Sequence, residues 1–412
     1  MATPLCDRMP AGGGSASLAG YRAAGGYVGL ARALEAGPAA VAETVKGAGL
    51  RGRGGAGFPT AMKWAAVPPP DGGARYLVVN ADEKEPGTMK DRFLMEGDPH
   101  QLVEGIAIAA HAIGARTAYI YLRREYGRCA RELERAIGEA SAAGLLEALE
   151  LHLHLGAGRY LCGEETGLLN AIEGRRAAPR NKPPFPQVSG LWGRPTVVNN
   201  VETLCNLPHI MREGADWYRS ISSSGDGGTK IYGASGWVSR PGLWELPLGA
   251  TAGEILDRAG GVAPGRTLRG FLPGGASTDF LPASKLDVKM DFDSVAASGS
   301  RLGTGTMIIL DDRTCPVGML LSLEKFFARE SCGWCTPCRE GLPWVTRCLE
   351  ALEAGEGEMG DIEILDEHAK ALAPGRTFCA LAPGAMEPLA SALKLFREDF
   401  VDHVTRKGCR WK

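Results

Sequence analysis

The sequence predicts an α/β chain: a parallel-sheet domain, then a small α+β module, then a helical bundle. Three observations predict it. Between residues 75 and 173, short runs of β-branched and aromatic residues alternate with helical stretches, the pattern of parallel strands joined by crossover helices. Near residue 229 the pattern changes to closely spaced strands around one helix, and from Gly318 onward it is helical. A chain of 412 residues, 44% hydrophobic and 23% charged, is long enough for two to four domains with sizeable cores.

Taken in order, residues 1–46 read as peripheral. Ala11–Gly26 is rich in Gly, Ser and Ala, and Tyr27–Val45 reads as helix through Leu30, Leu34 and Val41. Gly49–Gly57 is too glycine-rich for the interior of a helix or strand. Arg75–Asn80 is expected as the first strand, with Asp82–Gly87 at its carboxyl end. Helix is expected over Gln101–Ile113, strand over Thr117–Leu122, helix over Gly127–Ala143, and strand over Glu150–Leu155, where Leu alternates with His. Gly156–Thr166 then leads into a helix over Gly167–Glu173. Residues 174–200 form a long Pro/Gly/Arg-rich loop whose aromatics favour a functional role.

The β-rich module starts at Lys230–Gly233 and Gly236–Val238, has a helix at Thr251–Ala259, and closes on the strand Thr306–Leu310. The terminal helices break at Ala354–Gly360 and Pro374–Gly375, and the basic tail Arg406–Lys412 reads as a solvated end. The domains expected are therefore 1–60, an N-terminal region with the glycine loop; 61–228, the parallel-sheet domain; 229–317, the α+β module; and 318–412, the helical bundle.

Composition excludes several classes of function. A net charge of −2 offers no basic surplus for nucleic acid. Met1–Gly14 has neither the cationic start nor the apolar core of a secretion signal, and no run of about 18 apolar residues predicts membrane insertion. The eleven cysteines, an odd number, argue for a reducing cytoplasmic setting over a disulfide framework. Lone cysteines such as Cys129 and Cys205 read as small core residues.

Three constellations carry chemistry. Cys332-x2-Cys335-x2-Cys338 places three thiols in one tight loop. Zinc sites more often use two separated pairs, whereas three consecutive x2 steps suit three corners of a 4Fe–4S cube, with Cys379 as the remote fourth ligand. Structural zinc, or cysteines that merely pack, is the alternative. Gly52-x-Gly54-x-x-Gly57 formally matches a dinucleotide fingerprint, but helix-like sequence precedes it where a strand should. Its physical content survives that mismatch. Residues without side chains let backbone N–H groups approach a phosphate or a flat ring, and Arg51, Arg53 and Lys63 supply positive charge. A flexible linker is the plainer reading, against which Phe58, Pro59 and Trp64 count. Finally, Asn80, Asp82, Glu83 and Glu85 crowd the end of the first strand, and Glu164 and Glu165 follow the third. Both groups are expected at one crevice, with a solvated acidic rim as the bland alternative.

These residues resemble one family. Gly49-Leu-Arg-Gly-Arg-Gly-Gly-Ala-Gly-Phe-Pro-Thr, Asn80-Ala-Asp-Glu-x-Glu-Pro-Gly-Thr, Cys162-Gly-Glu-Glu-Thr, Lys182-Pro-Pro-Phe-Pro, Asn199-Asn-Val-Glu-Thr and Ser331-Cys-Gly-Trp-Cys-Thr-Pro-Cys-Arg look like signatures of the NADH- and FMN-binding subunit of bacterial respiratory complex I. The module is shared with diaphorase subunits of NAD-linked hydrogenases and formate dehydrogenases.

The resemblance implies a modified Rossmann-like domain, a β-grasp module and a helical bundle carrying the iron–sulfur cluster. It implies that the glycine loop (Gly52, Arg53, Gly54, Gly55, Gly57), Lys63, Asn80, Asp82, Glu83, Asn199, Asn200 and Thr203 hold FMN. Phe58 and Phe185 would stack the adenine of NADH. Glu85 and Glu165 would contact the nucleotide as its positioning groups, beside Gly163, Glu164 and Lys182. Cys332, Cys335, Cys338 and Cys379 would bind one 4Fe–4S cluster. Acidic groups near the nucleotide would disfavour NADPH. The implied reaction passes a hydride from NADH to FMN and single electrons to the cluster, because only the flavin converts between the two.

The implied partners are a small thioredoxin-like 2Fe–2S subunit and a large multi-cluster subunit leading to quinone. The implied location is the cytoplasmic face of the inner membrane. Ala61, Ala66 and Gly167 depart from the residues usual in the family. Only about forty-five residues precede the glycine loop, too few for the N-terminal extension many hydrogenase and formate dehydrogenase diaphorases carry. A non-catalytic iron–sulfur scaffold is the rival from another class.

Overall fold

The computed structural model describes residues 2–10 and 13–411. Met1, Ala11, Gly12 and Lys412 lie outside the described residues, and with them the start of the Gly/Ser/Ala-rich stretch and the last residue of the basic tail. The chain divides into two compact units. The first runs to Lys84 and resumes over Met89–Ile231 and Glu245–Gly249; the second holds Glu85–Thr88, Tyr232–Trp244 and everything from Ala250.

The first unit is built on four strands: β1 (Tyr76–Ala81), β2 (Thr117–Leu122), β3 (Glu150–Leu155) and β4 (Thr196–Asn200). They form one sheet in the order β3-β2-β1-β4, parallel throughout. Leu77, Val78 and Val79 of β1 are fully buried, as expected of a central parallel strand covered on both faces. The chain leaves β1 toward β2 on one side and returns to β4 on the other. That reversal is a topological switch point, and in open α/β sheets the crevice that binds ligands lies at such a point, outside the strands' carboxyl ends, here those of β1 and β4. β4 was expected only as the end of a long loop.

The N-terminal segment proves to be core. Tyr21, Val41 and Val45 are completely buried. The helix Pro99–Ile113 is buried along nearly all its length, and its Glu104 accepts from Tyr21 Oη at 2.5 Å, Tyr27 N at 2.8 Å and Leu30 N at 2.9 Å. Burial raises the carboxyl of Glu104 despite these donors. The single helix expected over Tyr27–Val45 is two, Val28–Ala36 and Pro38–Ala48. Gly37 between them takes φ +81°, a conformation side chains resist, and Pro38 restarts the helix at its first position.

The second sheet orders β5 (Thr229–Gly236), β6 (Gly242–Pro247), β7 (Leu268–Leu272), β8 (Leu281–Pro282) and β9 (Thr306–Asp311) as β6-β5-β9-β7-β8. β9 runs parallel to β5 and antiparallel to β7. Val238, expected to start a strand with Gly236 and Trp237, lies beyond β5. The helix Ala252–Arg258 begins with a capping box: Thr251 Oγ1 accepts from Glu254 N at 3.2 Å, and Glu254 Oε2 accepts from Thr251 N at 2.7 Å. A mixed sheet with few helices is the expected α+β module.

Beyond it come the helices Pro316–Glu330, Thr336–Ala354, Met359–Ala371, Leu381–Leu395 and Arg397–Arg406, with the two expected breaks after Ala354 and around Pro374–Gly375 and two unexpected ones, at 331–335 and at Phe396. Val317, Leu320 and Phe327 of the first, and Leu342, Val345, Leu349 and Leu352 of the second, are fully buried. Each such side chain contributes about 1.5–3 kcal/mol by leaving water. Among the described residues no helix is long and apolar enough to cross a membrane.

Candidate functional site

At the switch point Asn80 and Asn200 stand opposite each other in register. Asn80 Nδ2 donates to the Gly163 carbonyl at 2.8 Å, tying the end of β1 to the turn before the helix Glu165–Ile172. The buried Asp82 follows, its N–H donating to Asn80 Oδ1 at 3.2 Å. A Cβ on Gly163 would meet only the Asp82 carbonyl, at 3.8 Å, so the chain leaves room there.

The glycine loop folds back on itself: Gly52 N donates to the Phe58 carbonyl at 2.9 Å, and Arg51 Nε donates to the Gly57 carbonyl at 2.7 Å. Arg53 N donates to Thr203 Oγ1 at 2.8 Å, fastening the loop to the short helix after β4. A Cβ at Gly54 would stand 3.1 Å from Asn200 Cβ, and Gly57 takes φ +65°. Only residues without side chains allow this approach. Gly55 and Gly57 thus present main chain, while Phe58 and Phe185 are about half exposed and free to stack a flat ligand.

The charges are arranged differently from the expectation. Arg53 is fully buried and points inward, its Nη2 donating to Tyr218 Oη at 3.3 Å, the Gly227 carbonyl at 2.9 Å and the Thr229 carbonyl at 3.2 Å. Arg51 pairs with Asp226 at 3.1 Å. Lys63 is the cation turned to the strand ends: its Nζ lies 3.1 Å from both Glu165 Oε2 and the Val198 carbonyl. Lys182 bridges Glu164 at 2.7 Å and Glu165 at 3.4 Å. Glu164 also caps the helix Glu165–Ile172, accepting from Thr166 N at 2.9 Å and Gly167 N at 2.8 Å, which starts that helix earlier than the sequence suggested. Burial alone would raise the carboxyl of Glu165, but Lys63 and Lys182 win and hold it below the ordinary range.

Glu83 is committed to scaffolding. Its carboxylate accepts from Asp91 N at 2.8 Å and Arg92 N at 3.1 Å at the start of the helix Lys90–Gly97, and burial pushes it up. Glu85 belongs to the second unit, where its Oε1 accepts from Ser277 N at 2.6 Å. Of the family departures, Gly167 has a local reason. A Cβ there would stand 2.8 Å from the Leu161 carbonyl, so an alanine would require the backbone to shift.

Sequence reasoning missed the layer beneath the crevice. Trp64 Nε1 donates to Asn199 Oδ1 at 3.0 Å. Asn200 Nδ2 donates to Asp91 Oδ2 at 2.7 Å, while the buried Lys90 contacts Asp91 at 2.7 Å and Glu202 at 3.0 Å. Glu202 also meets Lys230 at 3.3 Å, and all of these ionic groups are essentially buried. Burial disfavours the charged Lys90, yet Asp91 and Glu202 raise it; burial likewise opposes the anion of Glu202, yet Lys230 and Lys90 lower it. Glu202 lies inside one of the family motifs, but nothing local marks its lysine partners.

The second constellation lies in the second unit. Cys335 is the cap residue of the helix Thr336–Ala354 and Cys338 sits in its first turn, where the helix dipole favours thiolate. Trp334 N donates to Cys332 Sγ at 3.4 Å. Ser331 Oγ lies 3.1 Å from Cys338 Sγ and accepts from Gly333 N at 3.1 Å. Burial pushes the Cys338 thiol up to about 11; the Ser331 contact opposes the rise, and Cys335, Cys379 and Cys332 add to it. Cys332, Cys335 and Cys379 thus all lie within electrostatic reach of Cys338. Among the described residues, the one group of ligand atoms compact enough for a single ion is elsewhere.

Comparison with known proteins agrees with both constellations. Residues 45–209 match the family model described as the Nuo51 FMN-binding domain, and residues 318–403 match the NADH-ubiquinone oxidoreductase-F iron-sulfur binding region. The NADH-quinone oxidoreductase-F protein of Escherichia coli (strain K12) is 56% identical over 391 residues, covering 92% of this chain and 88% of that protein. Its Streptomyces coelicolor counterpart is 48% identical, over 94% and 88%. Among solved structures, the chain is similar to NAD+-reducing NiFe-hydrogenase in the H2-reduced state, with a TM-score of 0.85 and 37% identity over 92% of this chain. It spans 65% of that hydrogenase chain, just under two thirds of its length.

Proposed function

This chain belongs to the NADH-quinone oxidoreductase-F family, and on that premise we propose how its residues divide the work. The chain is an oxidoreductase component that takes electrons from NADH through FMN to a 4Fe–4S cluster. FMN, when bound, supplies the exchange between two-electron and one-electron chemistry that neither NADH nor an iron–sulfur cluster can make alone.

The residues of the first unit fit a flavin phosphate and ring. Glycine main chain lines the approach, Lys63 offers the cation, and the buried Thr60 Oγ1 has no hydrogen-bond partner among the described residues. Gly52, Gly54, Gly55 and Gly57 form the cradle. Asn80, Asp82, Asn199 and Asn200 supply polar contacts at the strand ends, and Thr203 acts by holding Arg53 N–H and so the loop. Phe58 and Phe185 stack the adenine of NADH. Glu165, kept ionised by Lys63 and Lys182, positions the nucleotide; Glu85 lies in the second unit. The observation that carries this reading is the register pairing of Asn80 with Asn200 at the switch point, under a glycine loop fastened to the helix after β4. The test is FMN content of the full chain. Lys63→Met and Asn80→Ala should each lower retained FMN and NADH-driven ferricyanide reduction together. Equimolar FMN in both variants would exclude this crevice, and colourless, inactive parent protein would favour the scaffold reading.

Cys332, Cys335, Cys338 and Cys379 hold the cluster. Three cysteines in consecutive x2 steps with a remote fourth support a multi-iron body over zinc. A chain with one flavin and one cluster works within a complex of partner subunits. We assign as partners a small thioredoxin-like 2Fe–2S subunit and a large multi-cluster subunit leading to quinone, on the cytoplasmic side of the membrane. Sequence identity of 48–56% to complex I subunits, against 37–38% to the hydrogenase, favours that assembly over a hydrogenase diaphorase. Copurification of the native complex decides between them.

A further inference from the structure

A second cysteine cluster lies in the helical bundle, and its four members come from four separate stretches of chain. Cys315 precedes the helix Pro316–Glu330, and its Sγ accepts from Gly318 N at 3.2 Å. Glu353 sits in the last turn of Thr336–Ala354, and His403 on Arg397–Arg406 is 1% exposed. Cys409 is in the tail that follows, which reads in the sequence as a solvated end. That tail is held in place. Arg410 pairs with Asp399 at 2.9 Å and Asp402 at 3.1 Å, and Trp411 stacks on His403 while its Nε1 donates to the Asp312 carbonyl at 3.2 Å. The turn at Lys407 packs so closely on Gly355 that a Cβ there would meet the Lys407 carbonyl at 2.2 Å.

One ligand atom from each of the four residues lies within 4.8 Å of the other three. Cys315 Sγ is 2.9 Å from Glu353 Oε1 and 3.4 Å from His403 Nε2, and Nε2 is 3.2 Å from the same Oε1. Around a tetrahedral zinc with bonds of about 2.0–2.3 Å, neighbouring ligand atoms stand about 3.3–3.8 Å apart, so a small outward shift admits the ion. The imidazole is oriented for it. His403 Nδ1 lies 2.6 Å from the Asp399 carbonyl, which can only accept, so the proton is on Nδ1 and the Nε2 lone pair faces the cluster. Two sulfurs, an imidazole nitrogen and a carboxylate oxygen thus converge within 4.8 Å of one another.

We propose that Cys315, Glu353, His403 and Cys409 form a zinc site that fastens the C-terminal tail to the bundle. Two soft sulfurs and an imidazole select zinc over the hard cations, and four protein ligands leave no open position, which makes the site structural. Binding replaces two S–H bonds by two Zn–S bonds and releases two protons, with no change of oxidation state. The residues are distinct from the predicted cluster ligands, so flavin and iron serve as internal controls.

The test is metal analysis of the intact complex after dialysis against a weak chelator. The wild type should hold about one zinc per chain beyond that of its partner subunits, with sulfur and nitrogen/oxygen shells in the zinc X-ray absorption fine structure. Cys409→Ser should lower this zinc about tenfold while iron and FMN stay unchanged. If Cys409→Ser misassembles, His403→Gln, which keeps an amide near the Asp399 carbonyl, provides the same reading. Zinc unchanged in both variants, no zinc in the wild type, or recovery of a Cys315–Cys409 disulfide-linked peptide by mass spectrometry would each overturn the proposal.

Discussion

Two cysteine clusters occupy one helical bundle, and they differ in almost every respect. Cys332, Cys335 and Cys338 are neighbours in sequence, sit at a helix N-terminus and, except for Cys338, are only partly buried. Cys315, Glu353, His403 and Cys409 span most of the bundle's sequence, and two of the four are buried. The first unit repeats the contrast. The glycine loop and the Glu164–Glu165 pair are local motifs at the crevice, whereas the adjacent Lys90 and Asp91 meet Glu202 and Lys230 from more than a hundred residues away, all four buried. Under the proposed function, residues close in sequence and open to a ligand carry the chemistry, and residues far apart and enclosed hold the frame. Substitutions in the first class should therefore change activity or selectivity at nearly constant stability, and those in the second should do the reverse.

Four measurements can break that division. The largest effect is expected at Cys335. Cys335→Ser should cut NADH-to-quinone turnover more than ~100-fold and abolish the reduced-cluster EPR signal, with FMN retained. An intact EPR signal would remove Cys335 from the ligand set. Next is Glu202→Ala, which strands the buried Lys230 and leaves Lys90 paired with Asp91. Urea denaturation of the full chain should show a loss of about 3–5 kcal/mol, with FMN lost only as the fold is. Selective loss of FMN at unchanged stability would place Glu202 among the functional residues.

Glu165→Gln leaves Lys63 and Lys182 without their shared anion, so the extra phosphate of NADPH should be better tolerated. The NADPH-to-NADH ratio of kcat/KM should rise about tenfold, and an unchanged ratio would count against the role given to Glu165. The smallest effect concerns Glu324, fully buried in Pro316–Glu330, where neither carboxylate oxygen has a hydrogen-bond partner among the described residues. Burial holds its carboxyl well above the ordinary 4.5. The folded state therefore binds the proton more tightly than the unfolded state. The stability this contributes is complete below pH 4.5 and is lost as pH rises toward the folded value. Glu324→Gln should be more stable than the parent by about 1–3 kcal/mol at pH 8 and nearly equal to it at pH 4. A constant difference across pH would show that desolvation is not the cause.

The same contrast explains what was legible in the sequence. β2 and β3 match their expected bounds residue for residue, because a strand's alternation is written in its own six residues. The cysteine loop was readable for the same reason. β4 was not isolated, because Thr196–Asn200 closes a Pro/Gly-rich loop and its partner β1 lies 120 residues earlier. Residues 1–46 read as peripheral in the sequence because the acid that anchors the segment, Glu104, is remote from it. Arg53 reads as a ligand contact because it stands among glycines, but its acceptors, the Gly227 and Thr229 carbonyls, come from the far end of the first unit. Cys409 read as part of a loose tail because its neighbours in space are absent from its neighbourhood in sequence.

The inward turn of Arg53 has a kinetic consequence. A glycine-rich segment ordinarily gives up much of its freedom when a ligand captures it. Here the guanidinium is clamped by three groups and the Arg53 N–H is engaged by Thr203, so the loop is stiffened before any ligand arrives. Flavin should then associate in a single phase whose rate is linear in concentration, as onto a preformed surface. Arg53→Ala should introduce a saturating, slower phase as the slackened loop has to find its shape.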